Sequence, residues 1–421
     1  MDVHERTGEP AEAPPRAALP DRRVLPSPGR RAGFALLGAA CVLMRAATWP
    51  CRALARRRPG DALILEPFGM GDALLLQPLV RSLLAAGRRV AFAGRPAWRP
   101  LFPAVDGFAY VEVFPAWARP DLSRKYRRPV ADLLATARTL APWARGVDCI
   151  EPRGDPRAIL ALYLAGARTV RTLPRYWSAN DCRLPPGAAR FVPLDRRVSR
   201  REVSRAFAPE GVPYGRPDVS HLLPSPAPVP DPRRIGLVPL TPWEGKRWPP
   251  EHWRALVAAL RDRGFSPVLL CGHGERAEAL AACGFADPGA TPSANSADSA
   301  CETHAPAVRE LDSVSAWPEA LAACGAVVSV NTGPMHVADA LGIPLVVADG
   351  ASRLPLWAPE GPRSVVLHHQ ERVPGAPFHP TPRNGLTVQR AVMALVTPDE
   401  VLSALSSLLP TSLPSPSPPR P

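Results

Sequence analysis

Three short segments bring charged, hydroxyl and glycine residues together just where an apolar run gives way to a helical pattern. The first is Phe68-Gly69-Met70-Gly71-Asp72, after the apolar run Ala62–Leu65. Gly69 and Gly71 allow a sharp turn and a close backbone approach, and Asp72 offers a carboxylate at a helix start. There it can take a proton from a substrate, or only cap orphan N–H groups. The pattern is not Gly-x-Gly-x-x-Gly, so it carries no case for a dinucleotide. The second segment runs from Thr241 to Pro249 and contains Lys246 and Arg247. Side chains of these types meet phosphate as a point charge and a planar fork, or form a solvated turn. The chain has only two lysines, Lys125 and Lys246, and one of them falls here. The third is Asn331-Thr332-Gly333-Pro334-Met335-His336. Proline suits a first helical turn, the N–H groups of Thr332 and Gly333 point out of it, and the dipole favours an anion. His336 can donate to the same anion or serve as a structural histidine.

The elements that must hold these segments alternate strand and helix. Ala62–Leu65, a helix from Ala73 to Ala86 ended by Gly87, and a strand at Val90–Ala93 make one β-α-β unit. Five prolines in PSPAPVPDP mark a stiff linker. The pattern then restarts with strand Ile235–Val238, helix Pro249–Arg261, strand Val268–Cys271 and helix Glu275–Cys283. Residues 286–306 are small, polar and aperiodic and read as a surface insertion. A helix at 315–324, a strand at 326–330, a helix at 334–341 and a strand at 344–348 follow. The expected division is a leader at 1–58, disordered or interfacial, a first domain at 59–223 and a linker at 224–233. A second domain at 234–396, a closing helix at 397–409 and a disordered tail at 410–421 complete it. The fold class is α/β, with two open parallel-sheet domains facing a cleft.

Composition narrows the function. At 421 residues, 46% apolar and 21% charged, the chain can bury two cores. Its 56 prolines have no Gly-x-y period, which excludes collagen. Eight cysteines without Cys-x-x-Cys spacing carry neither a disulfide scaffold nor a zinc site, and a reduced compartment is the default. The net charge of +13 is uneven, with nine arginines and no acid between Arg22 and Arg58. That favours contact of residues 22–58 with an anionic surface, or else a solvated tail. Nucleic acid is not expected as a partner: no binding motif accompanies the charge, and aromatics are only 6%. The uncharged run Ala32–Met44 is thirteen residues, short of the roughly 20 needed to span a bilayer.

Taken in order, the three segments resemble glycosyltransferase family 9, the heptosyltransferases of lipopolysaccharide synthesis in the bacterial cell envelope. The likeness rests on LILEPFGMGDALLLQPLVRSLL, IGLVPLTPWEGKRWPPEHWRAL and VVSVNTGPMHVADALGIPLVV, with weaker likeness in VDCIEPRGDPRAILALYLAGAR and VTPDEVLSAL. It covers about residues 60–408. The resemblance implies a GT-B fold of two Rossmann-like domains, with the closing helix returning to the first. It implies inverting sugar transfer from an ADP-heptose-like nucleotide-diphosphate donor, with no cofactor and no essential metal. The acceptor would be a lipid-linked glycan met at the cytoplasmic face of the inner membrane by a cytoplasmic, peripheral enzyme. Asp72 matches the family's catalytic base, Lys246 its phosphate lysine, and Thr332, Gly333 and His336 its phosphate loop. Thr241 and Asn331 fall in the donor site. The family has aspartate where this chain has Asn331, which keeps size and one acceptor but loses the charge. That loss is the one feature favouring a second class, a non-catalytic GT-B protein that binds sugar nucleotide or glycan.

Overall fold

The computed structural model describes residues 28–50, 61–118, 129–176, 182–193, 199–287, 305–350, 352, 356–372 and 386–410. Fourteen strands occur among them: β1 Asp61–Leu65, β2 Arg89–Gly94, β3 Phe108–Glu112, β4 Asp148–Glu151, β5 Thr169–Thr172, β6 Arg175–Tyr176 and β7 Cys182–Arg183. The rest are β8 Arg190–Phe191, β9 Asp231–Val238, β10 Ser266–Gly272, β11 Ala307–Leu311, β12 Cys324–Val330, β13 Leu345–Ala348 and β14 Ser364–Leu367. The helices are α1 Pro28–Ala47, α2 Met70–Leu74, α3 Gln77–Ala85, α4 Pro129–Ala144, α5 Pro156–Leu164 and α6 Arg200–Arg205. They continue with α7 Pro250–Asp262, α8 Arg276–Ala282, α9 Ala316–Ala322, α10 Gly333–Ala340, α11 Leu386–Ala394 and α12 Pro398–Leu408.

Two six-stranded sheets result, ordered β3-β2-β1-β4-β5-β8 and β11-β10-β9-β12-β13-β14. All pairings within them are parallel, while β6 and β7 form a small antiparallel pair aside. β1 is buried at all five positions, as expected of a central strand covered by helices on both faces. The α/β class and the two-domain GT-B arrangement expected from the sequence are therefore present.

Three expectations change. The helix expected over 73–86 is two pieces, α2 and α3, with Pro78 in the first turn of the second. Proline has no N–H to donate to the Leu74 carbonyl and its ring crowds that group, so the helix breaks. Next, the leader expected at 1–58 is not disordered throughout, for residues 28–47 form α1, packed on α5. Gly38 lies so close to Pro185 that a Cβ there would come within 2.5 Å of its ring. The Cys41 thiol donates to the Pro156 carbonyl at 3.3 Å, and Arg45 donates to the Gly187 carbonyl at 2.9 Å. The first domain thus begins by residue 28 instead of 59, while residues 1–27 and 51–60 lie outside the described residues. Finally, the closing helix α12 does not return to the first domain. It packs on α7, β13 and β14, where Val401, Leu402 and Leu405 join the core of Trp248, Trp253 and Leu256. Those apolar side chains find a complementary face in their own domain. Of the insertion expected at 286–306 and the tail expected at 410–421, residues 288–304 and 411–421 lie outside the described residues.

Among the described residues, no single helix is long and apolar enough to cross a membrane. The bent pair α11–α12 passes by length and composition, but its apolar residues belong to the second domain's core.

Candidate functional site

In each sheet the chain order reverses once, between β1 and β4 in the first and between β9 and β12 in the second. Connections diverge to opposite faces at such a point, leaving a crevice beyond the carboxyl ends of the two strands. Every motif singled out in the sequence sits at one of these two places. Asp72 follows β1, Thr241 and Lys246 follow β9, and Asn331 to His336 follow β12.

On the first domain the crevice is lined by opposed charges. The Asp72 Oδ1 atom lies 3.0 Å from an Arg153 guanidinium nitrogen, while Oδ2 accepts from the Gly69 N–H at 3.0 Å. Asp72 therefore caps α2 through Oδ2, while its Oδ1 faces Arg153 at the crevice. Arg153 also lies 3.6 Å from Glu66, which in turn pairs with Arg200 at 2.5 Å. Glu66, Arg153 and Arg200 are buried. Burial pushes the Glu66 carboxyl up, against the pull of Arg153 and Arg200. The Arg153 guanidinium lies 4.1 Å from the Phe68 ring centroid and 5.5 Å from that of Trp357. Beneath it, Glu151 Oε2 accepts from the Gly154 N–H, the Asp155 N–H and the Thr172 hydroxyl, fixing the turn that carries Arg153. Burial raises the Glu151 carboxyl to about 8.

The second domain presents few anions and many donors. Lys246 donates to Asn331 Oδ1 at 3.0 Å, and Asn331 Nδ2 donates to Asp349 at 2.8 Å. A lysine can only donate and an ionised carboxylate only accept, so these two neighbours set which way the amide points. Desolvation lowers the Lys246 ammonium, with Asp349 and then Asp72 acting to raise it. Thr332 precedes α10 with its hydroxyl not capping the first turn, which leaves those N–H groups for a ligand. His336 is buried and held neutral: burial lowers it to about 4, and its Nδ1 has no hydrogen-bond partner among the described residues.

The two crevices meet. A Cβ at Gly71 would come within 2.4 Å of the His336 ring, and one at Gly333 within 2.8 Å of the Met70 side chain. Neither glycine has a positive φ, so both serve close packing between domains and not an unusual turn. At Gly69 the close approach is local, since a Cβ would lie 2.9 Å from the Asp72 carboxylate of the same helix cap. Asp72 is near enough to act on the charge of both Lys246 and His336.

The second half of this arrangement, residues 220–383, matches the family model of glycosyltransferase family 9 (heptosyltransferase). Over these residues the chain resembles the family 9 glycosyltransferases. Solved structures agree in fold. The chain is similar to ADP-heptose lipopolysaccharide heptosyltransferase II of E. coli, at 20% identity and a TM-score of 0.51 over 83% of this chain and 98% of that one. It is similar to a family 9 glycosyl transferase of Veillonella parvula, at 15% identity and 0.54 over 85% and 99%. E. coli heptosyltransferase WaaC, solved with ADP-2-deoxy-2-fluoro heptose, matches at 17% identity and 0.52 over 82% and 99%. A search of curated protein sequences gave no significant match.

Asp72, Lys246, Asn331, Thr332, Gly333 and His336 are thus brought together around one cleft. Thr241 is buried at its edge, with its hydroxyl accepting weakly from the Trp243 N–H at 3.5 Å. Arg247 leaves the group, pairing with Glu278 of α8. Sequence reasoning missed Glu66, Arg153, Arg200, Asp349 and Trp357. Three of these had a signal: Glu66 directly follows the apolar run of β1, Arg153 closely follows that of β4, and Asp349 directly follows that of β13. Polar residues at such strand ends line the crevice by the same rule that singled out Asp72. Arg200 and Trp357 arrive from outside these turns and had none. Among the described residues there is no cluster of three potential metal ligands.

Proposed function

We propose that the transferase moves a sugar, heptose by its family resemblance, from an ADP-heptose-like donor to a hydroxyl of a lipid-linked or cell-envelope glycan, with inversion. The observation carrying this reading is the pairing of a carboxylate on one switch point with a cation and helix N-terminus on the other, near enough to interact. In the proposed reaction the Asp72 carboxylate takes the proton as the acceptor oxygen attacks the anomeric carbon. The bond to the donor phosphate breaks on the opposite face, and its electron pair leaves on the diphosphate. Lys246, the N–H groups of Thr332 and Gly333, and neutral His336 as a donor stabilise that growing charge, work a metal does elsewhere. Asn331 and Thr241 shape the donor side. The solved relative WaaC carries an ADP-heptose analogue, which supports a donor of this chemical class.

The test is transfer from ADP-heptose to a defined glycan acceptor, followed by mass spectrometry, with Asp72→Ala as control. Donor binding is tested separately by calorimetry. Lys246→Ala should weaken ADP binding more than adenosine binding, and equal losses would remove the lysine from the phosphates.

We further infer that the transferase works at the cytoplasmic face of the inner membrane, with α1 lying on the lipid. The outward positions of α1 include Leu36 at 72% exposed and Leu43 at 69%, and Trp49 beyond it is 65% exposed. Arginines flank this apolar stripe in sequence. The full chain should sediment with anionic vesicles at low salt and partly detach as salt rises. Leu36→Glu with Leu43→Glu should abolish the retention at high salt. Vesicle binding unaffected by these substitutions would sink the assignment to α1.

A further inference from the structure

Asp349 lies in the core of the second domain and is fully buried. Its Oδ1 accepts from the Ser352 N–H at 3.0 Å, and its Oδ2 from Asn331 Nδ2 at 2.8 Å. No cation contacts it directly among the described residues; the nearest route to one runs through the Asn331 amide to the Lys246 ammonium, 3.0 Å beyond. A buried carboxylate held only by neutral donors is costly unless a counter-charge lies close. Lys246 in turn is a desolvated ammonium whose one hydrogen-bonded side chain among the described residues, Asn331, is neutral.

We propose that Asp349 is the counter-charge of Lys246, coupled to it through the Asn331 amide, and is thereby a positioning residue for the donor diphosphate site. The chain Lys246–Asn331–Asp349 carries one positive and one negative charge with a polar neutral link. An aspartate at position 331 would set two carboxylates 2.8 Å apart, which cannot both stay ionised at low cost. The neutral residue at 331 and the acidic one at 349 are therefore a matched pair. The negative charge thus stands one side chain further from Lys246 than position 331 does. Lys246 stays aimed by the amide oxygen, yet among the described residues no carboxylate touches it to compete with an incoming phosphate. This inference rests on the donor site proposed above only for its consequence. The charge coupling itself stands on the geometry.

Other charges face Lys246 and must be held constant. Asp72 and His336 lie across and beside it, and Glu244 on its own turn pairs with Arg390 of α11. Gln389 of α11 packs on Gly245 without a charge. A charge swap between 331 and 349 leaves all of these unchanged.

The test uses the scarcity of lysine. Only Lys125 and Lys246 occur in the chain, so lysine labelled at the side-chain carbon next to the ammonium gives two NMR signals, assigned with Lys246→Arg. In Asp349→Asn the Lys246 titration should move to lower pH, because a charge that raises it is gone. In Asn331→Asp it should move to higher pH. In the double variant Asn331→Asp/Asp349→Asn it should return towards the wild-type position. The pH above which ADP binding weakens, read by calorimetry, should move down in Asp349→Asn and back in the double variant. A Lys246 titration indifferent to Asp349→Asn, or a double variant as displaced as that single one, overturns the proposal. If Asp349→Asn does not fold, the upward shift in Asn331→Asp and the double variant's regained fold decide. If the titrations follow the swap while ADP binding ignores it, the coupling stands and the donor assignment falls.

Discussion

At the ends of β1 and β4, two carboxylates and two guanidiniums face one another: Glu66, Asp72, Arg153 and Arg200. At the ends of β9 and β12 the groups are a lysine, an amide, a neutral histidine and the free N–H groups of a helix start. The same strand order and the same crevice are thus filled with different chemistry. The first is internally neutralised, and in the proposed reaction its Asp72 carboxylate is the base. The second keeps its counter-charge behind a neutral amide, so its donors remain available to an anion. The domain fold sets where each constellation lies; its few side chains set what it can do.

The sharpest way to break the comparison is to unbalance the first crevice. Arg153→Met should destabilise the transferase by about 3–5 kcal/mol in urea unfolding, since it leaves Glu66 and Asp72 facing each other at low solvation. Adding Glu66→Gln should recover part of that loss. A cost below about 1 kcal/mol would mean that the four charges are solvated singly. Next in size, Asp72→Asn should lower turnover by about a hundredfold or more, with ADP affinity little changed. An unchanged rate would remove the base from the first crevice and leave it a purely structural cluster.

On the second side, His336 offers a pH signature of opposite character. Its folded value of about 4 is below its ordinary 6.5, so the folded state favours the neutral ring. Stability from this source is whole above about 6.5 and is lost as pH falls through about 4, by about 3 kcal/mol at most. His336→Asn should flatten that part of the stability profile, measured as urea midpoints between pH 7 and pH 4. A wild-type profile identical to the variant's would show the ring is not desolvated. The smallest effect concerns the seam. Gly71→Ala should cost about 1–3 kcal/mol by pushing against the His336 ring, and it should slow turnover through the altered spacing of the crevices. Gly87→Ala, far from the seam but at φ +73°, should cost stability without changing the ADP affinity of the folded protein.

Much of the architecture was written locally. The apolar runs of β1, β9 and β12, the proline at 334, and the glycines after α3 and α7 act within a few residues of themselves, so strand, helix and turn could be read in order. So could the motif residues, because each lies at the end of an apolar strand. What could not be read was anything decided between distant segments. Pro78 breaks a helix in a way a local rule allows but an apolar run hides. The fate of α1 and α12 depended on which apolar face was nearest in three dimensions, and α12 found its own domain.

The sequence alone determined the alternation of strand and helix in two parallel sheets and the residue types at three strand ends, because those depend on periodicity and on the few residues flanking each strand. Only the tertiary structure decided that Asp72 meets Arg153, that Gly71 meets His336, and that Asn331 stands between Lys246 and Asp349. These pairs are separated by 18 to 265 residues in the chain, counting from Asn331–Asp349 to Gly71–His336. Electrostatic and steric energies act through space, and no local pattern encodes a distance that only the closed cleft creates.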